Sequence, residues 1–204
     1  GMKLISYRHE GREAYGVVKD GGIVDMSPRL DHPNLKHAIA GLSINEMEKL
    51  AAGADPDVSL DDIEYMFPVT SPEKIFCIGR NYRAYHEVLE DGGPKWPSVF
   101  PRFASGFATH GEAIIRPAVS EQLDYEGELG VIIGKSGRHI PEYQALDYVA
   151  GYTIMNEGSV RDWQSKGTQN CPGKNFHRSG SIGPWMVTRD EIDDLDALQI
   201  RTSV

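Results

Sequence analysis

Asp124-Tyr125-Glu126-Gly127-Glu128-Leu129-Gly130-Val131-Ile132-Ile133 is the stretch that decides the fold. Its last five residues predict a buried apolar strand, and two glutamates one residue apart lead straight into it. Alternate side chains of a strand share a face, so Glu126 and Glu128 point the same way. Like charges that close are unfavourable unless a proton or a cation lies between them. Gly127 leaves the opposite face bare, which allows close backbone approach. A solvated acidic strand edge is the plain alternative. The apolar run that follows argues against it, because a buried strand does not begin with three carboxylates without cause.

A third carboxylate joins the pair. Residues 149–154 (VAGYTI) predict another strand, and Asn156-Glu157-Gly158 ends it in a loop before Ser159-Val160-Arg161-Asp162. Three carboxylate oxygens completed by water suit Mg²⁺, Mn²⁺ or Ca²⁺, which prefer hard oxygen donors. Zinc fits less well, since the set holds neither His nor Cys.

Before this region the chain reads as a small β-rich unit. Residues 3–7, 15–18 and 23–25 predict strands with glycines in the turns. Helices are expected over 34–40 and 44–52, the second with Ser43 as cap and Glu46 at the capping-box position. A polar connector from Asp55-Pro56 to Pro72 places a boundary there, with a small N-terminal α+β domain over 1–70 and a metal-binding catalytic domain over 71–204. The second unit opens with a buried strand over 74–79 and a helix over 81–90. Many strands and few short helices predict an α+β, mostly β, fold.

Composition narrows the function. A formal net charge of -9 disfavours nucleic acid and anionic membranes, both of which call for clustered Lys and Arg. No apolar run approaches the ~20 residues of a membrane span. The start, Gly1-Met2-Lys3-Leu4, has no signal-peptide character and looks like a tag scar, so a cytoplasmic location is expected. Cys77 and Cys171 form no CxxC, and buried free thiols are expected. Gly130 to Ser136 is one residue short of a P-loop between its glycines, and His86-Glu87 lacks the second His of a zincin. No nucleophile elbow is present.

The matching residues, in order, are Ile78-Gly79-Arg80-Asn81-Tyr82, Arg116-Pro117, residues 124–134 (DYEGELGVIIG), residues 151–164 (GYTIMNEGSVRDWQ), residues 172–176 (PGKNF) and Gly183-Pro184-Trp185. With these, the chain resembles the fumarylacetoacetate hydrolase family over nearly its whole length. The resemblance implies a mixed β-roll catalytic domain, a homodimer and a Mg²⁺ or Mn²⁺ cofactor, with Ca²⁺ as an alternative. It also implies a 2-oxo acid substrate and a place in aromatic catabolism. Glu126 and Glu128 match the family's paired metal glutamates, and Glu157 stands where the family usually has Asp. Lys174 matches a lysine facing the substrate, with a surface lysine as the plain alternative. Arg80, Tyr82, Arg161 and Gln164 match substrate-side positions.

Two departures are visible. The family's catalytic His slot falls on Tyr85, with His86 next to it. A shift of one residue would bring His86 in, with Glu87 or Glu90 as partner. The chain also ends at Val204, where family members continue, so the C-terminus reads as truncated relative to the family. The implied activity is hydrolysis of a C–C bond in an acylpyruvate or related 2,4-diketo acid, through an enolate that the dication chelates. Isomerisation, hydration or decarboxylation of a related 2-oxo acid, or a non-catalytic metal-binding relative, are the alternatives. Arg102, in Phe100-Pro101-Arg102-Phe103, is expected either to meet a second substrate carboxylate or to lie on the surface.

Overall fold

The computed structural model describes residues 1–89 and 92–204. Strands β1 (Lys3–His9), β2 (Arg12–Lys19) and β3 (Gly22–Asp25) form an antiparallel meander. Gly11 and Gly21 turn it at φ of +76° and +77°, values that cost a side chain-bearing residue steric strain. Helices α1 (Leu35–Ala40) and α2 (Ile44–Ala52) bury Leu35, Ile39 and Met47 on the meander. Asn34 caps α1, its side chain accepting the His37 N–H at 3.0 Å. Ser43 precedes α2 as expected but does not cap it. Its backbone has left the extended conformation that capping needs, and its hydroxyl bonds His32 Nε2 at 3.0 Å instead. Two short strands, β4 (Val58–Ser59) and β5 (Glu64–Tyr65), pair with β3 and β1.

The second part begins with a two-stranded ladder of β6 (Ile75–Gly79) and β7 (Ser98–Arg102). Helix α3 (Arg83–Glu87) lies between them and is shorter than the 81–90 predicted. There follow β8 (Phe107–Thr109), β9 (Leu123–Asp124), β10 (Gly127–Ile133), β11 (Val149–Asn156), β12 (Ser159–Val160), α4 (Arg161–Gln164), α5 (Cys171–Lys174), β13 (Gly180–Ile182) and β14 (Met186–Thr188). The main sheet runs β4-β3-β2-β1-β14-β11-β13-β8, with β10 added on β11 and β5 on β1. Only the β8–β13 pair is parallel among these, so the sheet is mixed, and it curls as the mostly-β reading expects.

The sheet is continuous from the N-terminal meander into the acidic region because β1 pairs with β14. Leu4 lies opposite Met186 in that pair, and both are fully buried with Tyr15, Val24 and Met26. Burial of this apolar surface is the main force joining the two parts, at roughly 25 cal/mol per Å².

Two strands differ from expectation. β10 is an outer strand paired only with β11, and Val131 and Ile133 are 50% and 64% exposed. In β6, Phe76 and Ile78 are exposed as well. Both runs are apolar, but no described residue covers their outward faces. Apolar content alone does not distinguish a core from an open face.

Met186→Ala should therefore lower unfolding free energy by about 2–5 kcal/mol. Ile133→Ser, on the open face, should cost within about 0.5 kcal/mol. Urea titrations of both variants against the parent protein check the contrast.

Candidate metal centre

Two strand pairings build the site. In β10–β11, Gly127 lies opposite Asn156 and Glu128 opposite Met155. In β9–β12, Asp124 lies opposite Ser159. Residue 126 is thereby held against residue 157: the Glu157 N–H donates to the Glu126 carbonyl at 2.8 Å, and the Glu126 N–H donates to Asn156 Oδ1 at 2.9 Å. Backbone crowding fixes the loop further, since a Cβ at Gly158 would run into the Ser179 carbonyl oxygen. One carboxylate oxygen from each of Glu126, Glu128 and Glu157 then lies within 4.8 Å of the others.

Cations and hydroxyls surround the cluster. Lys174, almost wholly buried on α5, places Nζ 3.1 and 3.0 Å from the two Glu126 oxygens and 2.8 Å from Glu157 Oε1. The Glu157 contact is a close ion pair, and Lys174 is the one charged group that meets Glu157 Oε1 among the described residues. Lys174 Nζ also lies 5.2 Å from the centre of the Phe100 ring, a cation–π approach that favours the ammonium there. Ser159 donates to Glu126 Oε1 at 2.6 Å. Arg161 places Nη1 2.7 Å from the same oxygen, donates through Nε and Nη2 to Asp124 Oδ2, and reaches Gln164 Oε1 at 3.0 Å. The Tyr82 hydroxyl accepts the Leu129 N–H at 3.1 Å and lies beside Glu128.

Burial raises the pKa of Glu128, with Tyr82 pulling it back and the other glutamates adding to the rise. Burial also raises that of Glu157, against the opposing pull of Lys174. The Tyr82 hydroxyl is pushed up to about 12, first by burial. Cys77, beneath the cluster, is pushed up to about 12 by burial and then by Glu157, and is an inert thiol. Three carboxylates with oxygens within 4.8 Å of one another, two of them with raised pKa values, fit a divalent cation with a preference for hard donors.

Arg102 falls in neither place expected of it. It is buried, with its guanidinium 4.2 Å from the Phe107 ring centre, and donates to the Gly158 carbonyl at 3.2 Å and to Ser179 Oγ at 3.3 Å. It therefore braces the Glu157 loop from below and cannot reach a substrate. The structure also brings in Ser159 and Asn156, which sequence reasoning did not single out. Their roles arise from strand register, and only their position beside Glu157 hinted at them.

Other sequence-derived residues lie apart from the cluster. His86 Nε2 is hydrogen-bonded to the Arg80 carbonyl oxygen. Arg80 has φ of +57° and its guanidinium lies 6.0 Å from the Tyr85 ring centre. Glu87 is exposed, and Glu90 lies outside the described residues. A cleft of about 610 Å³ lined by Ile39, Leu42, Lys135, Tyr148 and Arg189 contains none of the three clustered glutamates. The chemistry of the donors, rather than cavity size, locates the centre.

A curled mixed sheet thus carries three converging carboxylates that could hold a divalent cation. The fumarylacetoacetate (FAA) hydrolase C-terminal family matches residues 74–204, and the chain belongs to that family, whose members typically bind a divalent metal. Oxaloacetate tautomerase fahd2, mitochondrial, of Xenopus laevis is 37% identical over 213 residues, covering 100% of this chain and 67% of the frog protein. Human oxaloacetate tautomerase FAHD2A, mitochondrial, is 32% identical over 214 residues, with 98% and 67% covered. Among solved structures, the fumarylacetoacetate hydrolase of Exiguobacterium antarcticum superposes with a TM-score of 0.72 at 29% identity, covering 95% of this chain and 69% of that one. No helix among the described residues is long and apolar enough to cross a membrane.

The raised pKa values give a signed expectation. Glu128 and Glu157 bind protons more tightly folded than unfolded, so their ionisation destabilises the metal-free protein as pH rises through the raised values. A dication reverses that cost only when they are ionised. The rise in melting temperature on adding Mg²⁺ or Mn²⁺ should thus shrink as pH falls through the same range. Melts across a pH series with and without metal test it.

Proposed function

We propose that this chain interconverts the keto and enol forms of a small 2-oxo acid of the oxaloacetate type, in a centre where Glu126, Glu128 and Glu157 hold Mg²⁺ or Mn²⁺. The bound dication would supply Lewis-acid stabilisation of negative charge on the C2 oxygen. Keto–enol exchange moves a proton between C3 and that oxygen and breaks no carbon–carbon bond. The observation that carries this reading is the contrast between Lys174 and His86. Lys174 Nζ is buried among the carboxylates, whereas the His86 ring is engaged by the Arg80 carbonyl.

Each residue then has a part. Lys174 Nζ would pass a proton to the C2 oxygen as the enol forms and take it back in reverse, with water taking up and returning the proton at C3, and before that transfer its ammonium would offset the charge developing on the oxygen. Arg161 and Tyr82 act through the carboxylates they touch, and Gln164 steadies Arg161. Arg80 keeps the part of a substrate contact only on its match to the family position. The names of the tautomerase relatives support the oxaloacetate-type substrate.

Hydrolysis of a C–C bond in an acylpyruvate or related 2,4-diketo acid is the second reading. It is supported by the likeness to the Exiguobacterium antarcticum hydrolase. That reaction needs a base to activate water, and His86 would have to leave the Arg80 carbonyl to provide it, with Glu87 or Glu90 as the proposed partner. Assembly as a homodimer belongs to the proposal, because exposed Phe76, Ile78, Val99, Val131 and Ile133 offer apolar surface for a second copy to cover. A cytoplasmic location is likewise our reading, although named relatives include mitochondrial proteins.

The test follows enol and keto absorbance of oxaloacetate, and in parallel acylpyruvate cleavage, with Mg²⁺ or Mn²⁺ present. Tautomerisation should exceed cleavage. Glu126→Gln should lower it at least about a hundredfold, the scale of several kcal/mol expected of a Lewis acid. Lys174→Gln should cost about a hundredfold through lost charge stabilisation. His86→Gln should leave it within about threefold, whereas a loss of ~100-fold in that variant would favour the hydrolytic scheme.

A further inference from the structure

The cleft of about 610 Å³ lies where the N-terminal helices meet the main sheet, and its volume is in the range of small-molecule sites. Ala150 of β11 lines it, with Ile39 and Ile44 on the helix side and Ile192 from the segment after β14. Val149, also in the lining, begins β11, whereas Asn156 ends that strand beside Glu157. β11 has eight residues, a length of roughly 26 Å, so the cleft is separate from the metal centre.

The walls are firmly built. In the turn between α1 and α2, the Gly41 N–H donates to the His37 carbonyl at 2.8 Å, Leu42 to Ile39 at 2.9 Å and Ser43 to Ala38 at 3.0 Å. These bonds hold Leu42 at φ of +59°, uncommon outside glycine, with its side chain 72% exposed at the cleft. Across from it, a register shift at Ile132/Ile133 ends the β10–β11 ladder, and the Gly134 N–H donates to the Tyr148 carbonyl at 2.7 Å. Lys135 follows directly.

The charges of the cleft divide into two kinds. Arg189 Nη1 lies 3.3 Å from Asp147 Oδ1, and Asp190 takes the Thr188 hydroxyl and the amino terminus. Those groups are already answered. Lys135 makes no ion pair among the described residues, and its Nζ lies 4.7 Å from the Tyr148 ring centre. The Asp193 carboxylate has neither a hydrogen bond nor an ion pair among them. One cation and one anion therefore stand open in a cleft with aliphatic walls.

We propose that this cleft binds a zwitterion with an aliphatic body, an α-amino acid or short peptide of the leucine kind, its carboxylate on Lys135 and its ammonium on Asp193. A ligand with a single charge would leave one of the two groups unanswered, and an uncharged one would leave both. Ionic contacts beside apolar walls are stronger than in open water, because solvent is partly excluded. The proposal draws nothing from the metal centre and stands or falls independently of it.

Amide resonances of the metal-free protein, kept so by a chelator, are titrated with L-leucine, L-leucyl-L-leucine, 4-methylpentanoate and 3-methylbutylamine. The last two keep the aliphatic body and lose one charge each. At least one zwitterion should saturate with shifts at Lys135, Ala150 and Asp193, and the tighter of the two tells whether the ligand is a single amino acid or a peptide. The single-charge compounds should bind at least about tenfold more weakly. Lys135→Ala should bring the zwitterion down to the affinity of the amine, and Asp193→Ala to that of the carboxylate. Both positions are exposed, so both variants should fold. Absence of shifts in the cleft, a single-charge compound that binds as tightly as the zwitterion, or variants that bind like the parent each overturn the proposal.

Discussion

Mutual repulsion of three clustered glutamates, one buried and two half-buried, is the constraint around which this part of the molecule is arranged. Glu126, Glu128 and Glu157 converge within a few ångströms, in surroundings that hold little water. Such a cluster is tolerable only with positive charge and hydrogen-bond donors close by. The chain supplies both from elements far apart in sequence: Lys174 from α5, Arg161 from α4, Ser159 from β12 and Tyr82 from the approach to α3. Each of these elements is short, and the register of the sheet, rather than helix propensity, sets where it lies.

Part of this compensation comes from the chain itself. Lys174 bridges Glu126 and Glu157, so part of the negative charge is neutralised from within the chain. An arriving dication meets ligands already oriented. The Asn156 side chain, the Glu157 N–H and the Arg102 guanidinium fix the backbone of residues 126 and 157–158. Arg102 is the costliest of these supports, a buried guanidinium whose hydrogen bonds go to neutral acceptors. Its position beneath the Glu157 loop gives that cost a purpose.

Much of the centre was legible in the sequence, for a local reason. Glu126 and Glu128 are separated by one residue, and Glu157 ends the strand next in line, so their meeting needed only one hairpin-like pairing. The mostly-β class was legible from the spacing of short apolar runs. What was hidden depended on long-range register. Ser159 gains its role only because β12 pairs with β9, thirty-odd residues back in the chain. Arg102 could not be read as buried, because nothing near it in the sequence announces the Gly158 and Ser179 acceptors. The outward faces of β6 and β10 were misread for the opposite reason: their residues are apolar enough for a core, but no described residue closes over them. His86 and Ser43 show a third kind of miss, in which a side chain suited to one partner takes a nearer one.

Gly158 stands between two metal-ligand supports and has no side chain of its own. The Ser179 carbonyl oxygen occupies the space where a Cβ would be, and the Arg102 guanidinium holds the neighbouring carbonyl. A single methyl group there would push the two backbones apart and carry Glu157 with them. Tolerance to mutation in this protein should therefore be lowest at a residue that performs no chemistry, and an Ala at 158 would mimic the loss of a ligand while leaving every carboxylate in the chain.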